Sequence, residues 1–188
     1  MGMTFADLLT LGRLFLVPVY LYAFVTGRAE VAFIVFVFAG FTDLIDGTVA
    51  RLTGSSTRLG AILDPIADKV LLGSCFITLT IIDMIPLWFV ILVLSRDLAI
   101  VGGIFYFEWT KANVPYRPLA ISKIATFFQL MTVGWGLLFW WRPDVHTRVS
   151  DGLMWGCMGV AAIFIAVSGV RYVRYGWGVL MKVRHGMS

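Results

Sequence analysis

Residues 30–52 read EVAFIVFVFAGFTDLIDGTVARL. From Val31 to Phe41 the stretch is apolar but for a single glycine, and then Asp43 and Asp46 follow within one helical turn. A helix over this segment approaches the roughly 20 residues that cross a bilayer core. Comparable apolar segments lie at about 12–27, 58–82, 86–109, 119–141 and 152–175, again near spanning length. Together they predict an all-α, polytopic membrane protein with six transmembrane helices, residues 1–188 forming one membrane domain.

The composition of the 188 residues agrees with this: 60% are hydrophobic, 14% are charged, and the mean hydropathy is +0.90. A soluble domain carries about a quarter charged residues. An ordinary cytosolic enzyme, a disordered regulator and a secreted disulfide scaffold are therefore excluded. The net charge of +4 and pI near 9.3 do not indicate a nucleic-acid partner, because the basic residues flank the apolar runs, where they mark topology and lipid headgroups. Arg13, Arg51, Arg58, Lys111, Arg117, Arg171, Arg174, Lys182 and Arg184 fall on one side of the six spans. Arg28, Arg142 and Arg148 fall on the other, which predicts an N-in, C-in topology. Thr4 and Asp7 suit the start of a short interfacial helix ahead of the first span, which reads as a retained helix with no cleavage site. Trp135, Trp140, Trp141, Tyr172, Tyr175 and Trp177 serve equally as interfacial anchors or as packing aromatics. Cys75 and Cys157 lie in apolar stretches and imply no disulfide.

Acids inside spans are costly, so their placement points to function. Four of the 11 acids stand between residues 43 and 68. Asp43 and Asp46 are spaced i, i+3 at one span's end, and Asp64 and Asp68 are spaced i, i+4 at the next span's start, so each pair shares a helix face. A short connection around Gly54-Ser55-Ser56 makes the two helices antiparallel neighbours, and the pairs converge. Four facing carboxylates repel in a medium of reduced dielectric. Oxygen donors without His or Cys favour Mg²⁺ or Mn²⁺, and four carboxylates suffice for two ions. Gly47, Ala50 and Gly60 leave room for a ligand or a neighbouring helix, and the fork of Arg51 suits a pyrophosphate.

The pattern Asp43-x2-Asp46-Gly47-x2-Ala50-Arg51-x8-Gly60-x3-Asp64-x3-Asp68 resembles the complete motif of the CDP-alcohol phosphotransferase (CDP-alcohol phosphatidyltransferase) family. The resemblance implies a membrane enzyme that moves a phosphatidyl group from CDP-diacylglycerol to an alcohol and releases CMP. By it Asp43, Asp46, Asp64 and Asp68 are metal ligands, and Asp68 is also the base on the acceptor hydroxyl. Gly47, Ala50, Arg51 and Gly60 line the CDP site, and a homodimer with its active site on the cytoplasmic side is expected.

Ser95-Arg96-Asp97 and the segment from Ile121 to Gln129 resemble two branches, phosphatidylglycerophosphate synthase and the CMP-forming cardiolipin synthase. The first usually has Glu where Asp97 stands and a second Lys where Ala125 stands. A phosphate monoester dianion wants more basic partners than a diester, so phosphatidylglycerol is favoured over glycerol 3-phosphate as acceptor, with Arg96 and Lys123 contacting it. A divalent-cation transporter also uses intramembrane acids, but related halves and interrupted midplane helices are not visible. A polytopic prenyltransferase needs a second acid cluster. Asp83, Asp97, Glu108, Asp144 and Asp151 do not supply one.

Overall fold

The computed structural model describes the backbone of residues 5–53, 60–109 and 120–184, and side chains over 12–42, 69–102 and 122–169. Among these residues there are six α-helices and no strand. They are α1 (Phe5–Val25), α2 (Ala29–Thr53), α3 (Gly60–Ile81), α4 (Leu87–Trp109), α5 (Ala120–Trp141) and α6 (Arg148–Arg184). A 3₁₀ turn over Pro143–Val145 precedes α6. The described residues are therefore all-α, as the apolar segments of spanning length predict. Two helices carry apolar windows long enough to cross a membrane, Ser122–Trp141 and Arg148–Gly169. Gly12–Val25, Ala29–Thr42 and Lys69–Ile81 are shorter apolar stretches among the described residues.

The expected interfacial helix is not separate. Phe5–Leu11 form the first turns of α1, because the lone Gly12 costs only about 1 kcal/mol in a helix and no proline intervenes. The connection around Gly54-Ser55-Ser56, with Arg58, and the segment holding Lys111 and Arg117 lie outside the described residues.

The helix ends follow from local chemistry. After α1, Arg28 N–H donates to Ala23 C=O (2.8 Å) and Gly27 N–H to Phe24 C=O (3.0 Å), with Gly27 at φ 68°. After α3 the same pair of bonds recurs from Met84 to Leu79 (2.9 Å) and from Asp83 to Thr80 (3.1 Å). Here Asp83 takes the left-handed position at φ 58°, which short polar side chains tolerate. Helix α6 opens on a reciprocal cap. Thr147 N–H donates to Ser150 Oγ (2.8 Å), and Ser150 N–H donates to Thr147 Oγ1 (3.3 Å).

Two compact units form, Met1–Ile85 with Val133–Asp151, and Pro86–Thr132 with Gly152–Ser188. In the first, α1 packs against both α2 and α3. Its buried stripe is Arg13, Val17, Tyr20 and Ala23, spaced three to four residues apart. Ala32, Val35 and Ala39 of α2, and Leu71, Cys75 and Leu79 of α3, supply matching stripes. A buried polar bond, Tyr20 Oη to Thr78 Oγ1 at 2.6 Å, joins α1 to α3. Leu79 also approaches Gly136, where an added Cβ would stand 3.0 Å from Leu79 Cδ1. Trp140 packs on Phe24 and Trp141 on Phe33, with ring centroids 5.3 and 5.4 Å apart, so these two tryptophans are packing aromatics. Side chains of Tyr172, Tyr175 and Trp177 lie outside the described residues.

The outward faces invert what water selects. Phe15, Phe38, Phe41, Ile77, Ile91, Leu98, Phe127 and Ile163 are exposed, while the hydroxyls are turned inward on their own helices. Thr42, Ser74, Thr80, Ser95, Thr126 and Thr132 each donate to a carbonyl three or four residues back. An apolar surround rewards such internal satisfaction. Cys75 and Cys157 are free thiols.

Candidate active site

Eight motif positions fall on two helices of the first unit. Asp43, Asp46, Gly47, Ala50 and Arg51 lie in the C-terminal turns of α2; Gly60, Asp64 and Asp68 open α3. Both segments are helical through these positions. The spacings therefore convert to faces: Asp43, Asp46, Gly47 and Ala50 along one side of α2, and Gly60, Asp64 and Asp68 at i, i+4 and i+8 along one side of α3. The side chains of all eight lie outside the described residues. Packing of α1 on both helices ties the two carriers to one scaffold.

The donor chemistry fits a hard divalent cation, since carboxylate oxygens without imidazole or thiolate are what Mg²⁺ and Mn²⁺ prefer. Among residues with described side chains, no three His, Cys, Asp or Glu groups gather into a metal site.

Arg96, Asp97 and Lys123 lie in the second unit. Arg96 of α4 is buried, and its Nη1 donates to Asp97 Oδ1 at 2.6 Å. Its Nη2 donates to Ser122 Oγ on α5 and lies 3.5 Å from the Ser122 carbonyl. Thr126 Oγ1 donates to that same carbonyl (3.1 Å). The Arg96 Nε has no hydrogen-bond partner. The structure thus joins Arg96 to Asp97 and Ser122, whereas Lys123 is exposed on α5. The buried guanidinium of Arg96 is charge-paired within its own helix.

The burial of Arg13, Tyr20 and Thr78 in the core escaped sequence reasoning, and Gln129, the last residue of the branch-like segment, was given no role of its own. Arg13 was read as a marker of topology, yet it is buried within the stripe of α1. The Tyr20–Thr78 bond joins positions 58 residues apart and has no local signal. Gln129 is 1% exposed and neither atom of its amide has a partner. An amide in an otherwise apolar span was the available clue.

Comparison with known proteins agrees with the motif. The family model of the CDP-alcohol phosphatidyltransferases matches residues 3–174, and the chain belongs to that family. It is 36% identical over 151 residues to a probable CMP-forming cardiolipin synthase of Drosophila melanogaster, covering 72% of this chain and 47% of that protein. Against the CMP-forming cardiolipin synthase of Rattus norvegicus it is 32% identical, covering 92% and 61%. Against the CDP-diacylglycerol–glycerol-3-phosphate 3-phosphatidyltransferase of Bacillus subtilis it is 33% identical, covering 92% and 94%. The chain thus spans about half to three fifths of the two animal proteins and nearly all of the bacterial one.

Proposed function

We propose that this chain transfers the phosphatidyl group of CDP-diacylglycerol to a glycerol-type alcohol and releases CMP. The observation that carries this is the eight-position motif borne on two continuous helices, α2 and α3, that share α1 as their support. The family match running through both compact units supports one working domain over residues 1–188.

Asp43, Asp46, Asp64 and Asp68 hold the metal, two Mg²⁺ or Mn²⁺ ions in this proposal. When bound, the ions neutralise charge on the pyrophosphate and on the departing CMP. Arg51 meets the pyrophosphate through its planar fork, while Gly47, Ala50 and Gly60 leave space for the CDP moiety. Asp68 accepts the proton of the acceptor hydroxyl as its oxygen bonds to the phosphatidyl phosphorus. The bond from that phosphorus to the bridging oxygen breaks, and CMP leaves with the electron pair. Both lipid tails stay in the bilayer while the headgroups react near the helix ends.

Arg96 and Lys123 contact the acceptor. With Arg96 already paired to Asp97, a phosphodiester monoanion suits this site better than a monoester dianion. Phosphatidylglycerol is therefore the favoured acceptor. Glycerol 3-phosphate is the second reading, supported by the bacterial relative named for that substrate. The helices form six membrane spans, with both termini and the motif on the cytoplasmic side, and the enzyme is a homodimer.

Product analysis by mass spectrometry tests this. Purified protein receives CDP-diacylglycerol with phosphatidylglycerol, glycerol 3-phosphate, serine or inositol in parallel. Cardiolipin in the first reaction is expected. Product only from serine or inositol overturns the glycerol assignment.

A further inference from the structure

The amide of Gln129 is fully buried, yet its Nε2 and Oε1 both lack partners. Helix α5 satisfies its neighbouring hydroxyls, since Thr126 and Thr132 donate to carbonyls one turn back. Gln129 alone on this stretch is left with two donor hydrogens and an acceptor oxygen unmet. Leaving a buried polar group unpaired is costly, so such a group is retained where something polar completes it.

Its position says what that is. Ser122, Thr126 and Gln129 fall at i, i+4 and i+7, one face of α5. Ser122 at the head of this line receives Arg96, whose Nε is also unpartnered. Ser122, Thr126 and Asp97 are part-exposed, so the line runs from a reachable end to a closed one. Ser122 and Gln129 are separated by about 10 Å of helix rise. Helical side chains lean toward the N-terminus, so the Gln129 amide covers part of that interval toward Ser122. What remains is on the scale of a three-carbon polyol whose phosphate lies at Arg96.

We propose that Gln129 is a specificity-determining residue that hydrogen-bonds the second, non-reacting hydroxyl of a glycerol headgroup whose phosphate is held at Arg96. This rests on the proposed transfer to a glycerol-type alcohol. An amide suits the task because its Oε1 accepts from a hydroxyl while Nε2 donates to the same or an adjacent oxygen. An apolar residue here would not reject an acceptor lacking that hydroxyl. A buried amide left unpaired does.

The test compares phosphatidylglycerol and glycerol 3-phosphate, each beside its 1,3-propanediol analogue, which keeps the primary hydroxyl and lacks the secondary one. Wild-type protein is expected to favour the diol by about 10- to 100-fold in kcat/KM, with whichever of the two acceptors it uses. Gln129→Met is expected to lose this preference and to raise the KM of the diol acceptor, with the KM of CDP-diacylglycerol unchanged. Gln129→Asn, which keeps a shorter amide, is expected to retain part of it. Equal use of diol and analogue by wild type overturns the proposal, as does a preference undiminished in Gln129→Met. The latter result assigns the amide to a buried water or a structural role. Failure of both variants to accumulate also counts against it, because a residue reserved for a ligand is dispensable for folding. Absence of product from both phosphatidylglycerol and glycerol 3-phosphate with wild type refutes instead the underlying phosphatidyl transfer.

Discussion

Replacing Tyr20 and Thr78 tests how the helix bearing Asp64 and Asp68 is held. The Tyr20 hydroxyl and Thr78 Oγ1 stand 2.6 Å apart in the core between α1 and α3. Thr78 also donates to the carbonyls of Ser74 (2.9 Å) and Cys75 (3.0 Å), so the hydrogen of the central bond comes from Tyr20. The two partners are therefore unequal. In Tyr20→Phe the threonine keeps its backbone acceptors, and the loss is one interhelical bond, about 0.6 to 1.7 kcal/mol in membrane proteins. In Thr78→Val the Tyr20 hydroxyl stays buried with only the weak acceptor Cys75 beside it, and an orphaned donor costs about 1–3 kcal/mol. The double variant removes both polar ends and should be no less stable than Thr78→Val alone. At about 2–4 °C per kcal/mol for a chain of this size, Tyr20→Phe lowers Tm by a few degrees and Thr78→Val by about twice that. Thermal unfolding in one detergent, with a double-mutant cycle, reads this out. Equal losses in the single variants with an additive double would refute the assignment of donor and acceptor.

Excess chelator should abolish transfer, and Mg²⁺ or Mn²⁺ should restore it. Undiminished turnover in chelator would contradict the carboxylate metal site. Gly136→Ala pushes a methyl to 3.0 Å from Leu79 Cδ1, an overpacking cost of about 1–3 kcal/mol, and Leu79→Ala opens a cavity worth about 2–5 kcal/mol. Combined, the two should cost less than their sum in a thermal melt, since the new methyl enters the vacated space. A hydrogen bond from Arg142 Nε at 3.2 Å holds the Asp144 carboxyl below the usual carboxylate range. A depressed folded pKa contributes stability that is present above the unfolded pKa and lost as pH falls through the folded one. The small Tm difference between wild type and Asp144→Asn should therefore vanish toward strongly acid pH, as a pH series of melts would record.

What was legible in the sequence is what local spacing encodes. The eight motif residues declared themselves by interval, and α2 and α3 carry them as continuous helices. Apolar length located all six helices within a few residues, except where nothing local marks an end. Helix α1 runs back to Phe5 and α6 continues to Arg184, because neither stretch contains a strong breaker. Three-dimensional partnership was not legible. Tyr20 and Thr78 read as ordinary members of apolar spans, and Arg13 read as a boundary cation. Only the packing of α1 on α2 and α3 puts both in the core. For Arg96 the sequence offered Asp97 as a neighbour, but Ser122 is 26 residues away, and their contact requires α4 and α5 to pack.

The most direct measurement is CMP release from CDP-diacylglycerol by wild type and by Asp68→Asn, with and without phosphatidylglycerol. Release should depend on the acceptor, match the new phosphodiester mole for mole, and fall by at least about 10²-fold in Asp68→Asn protein that remains folded in detergent. Acceptor-independent release, or near wild-type turnover by Asp68→Asn, would contradict the assignment of this helix pair as the site of phosphatidyl transfer.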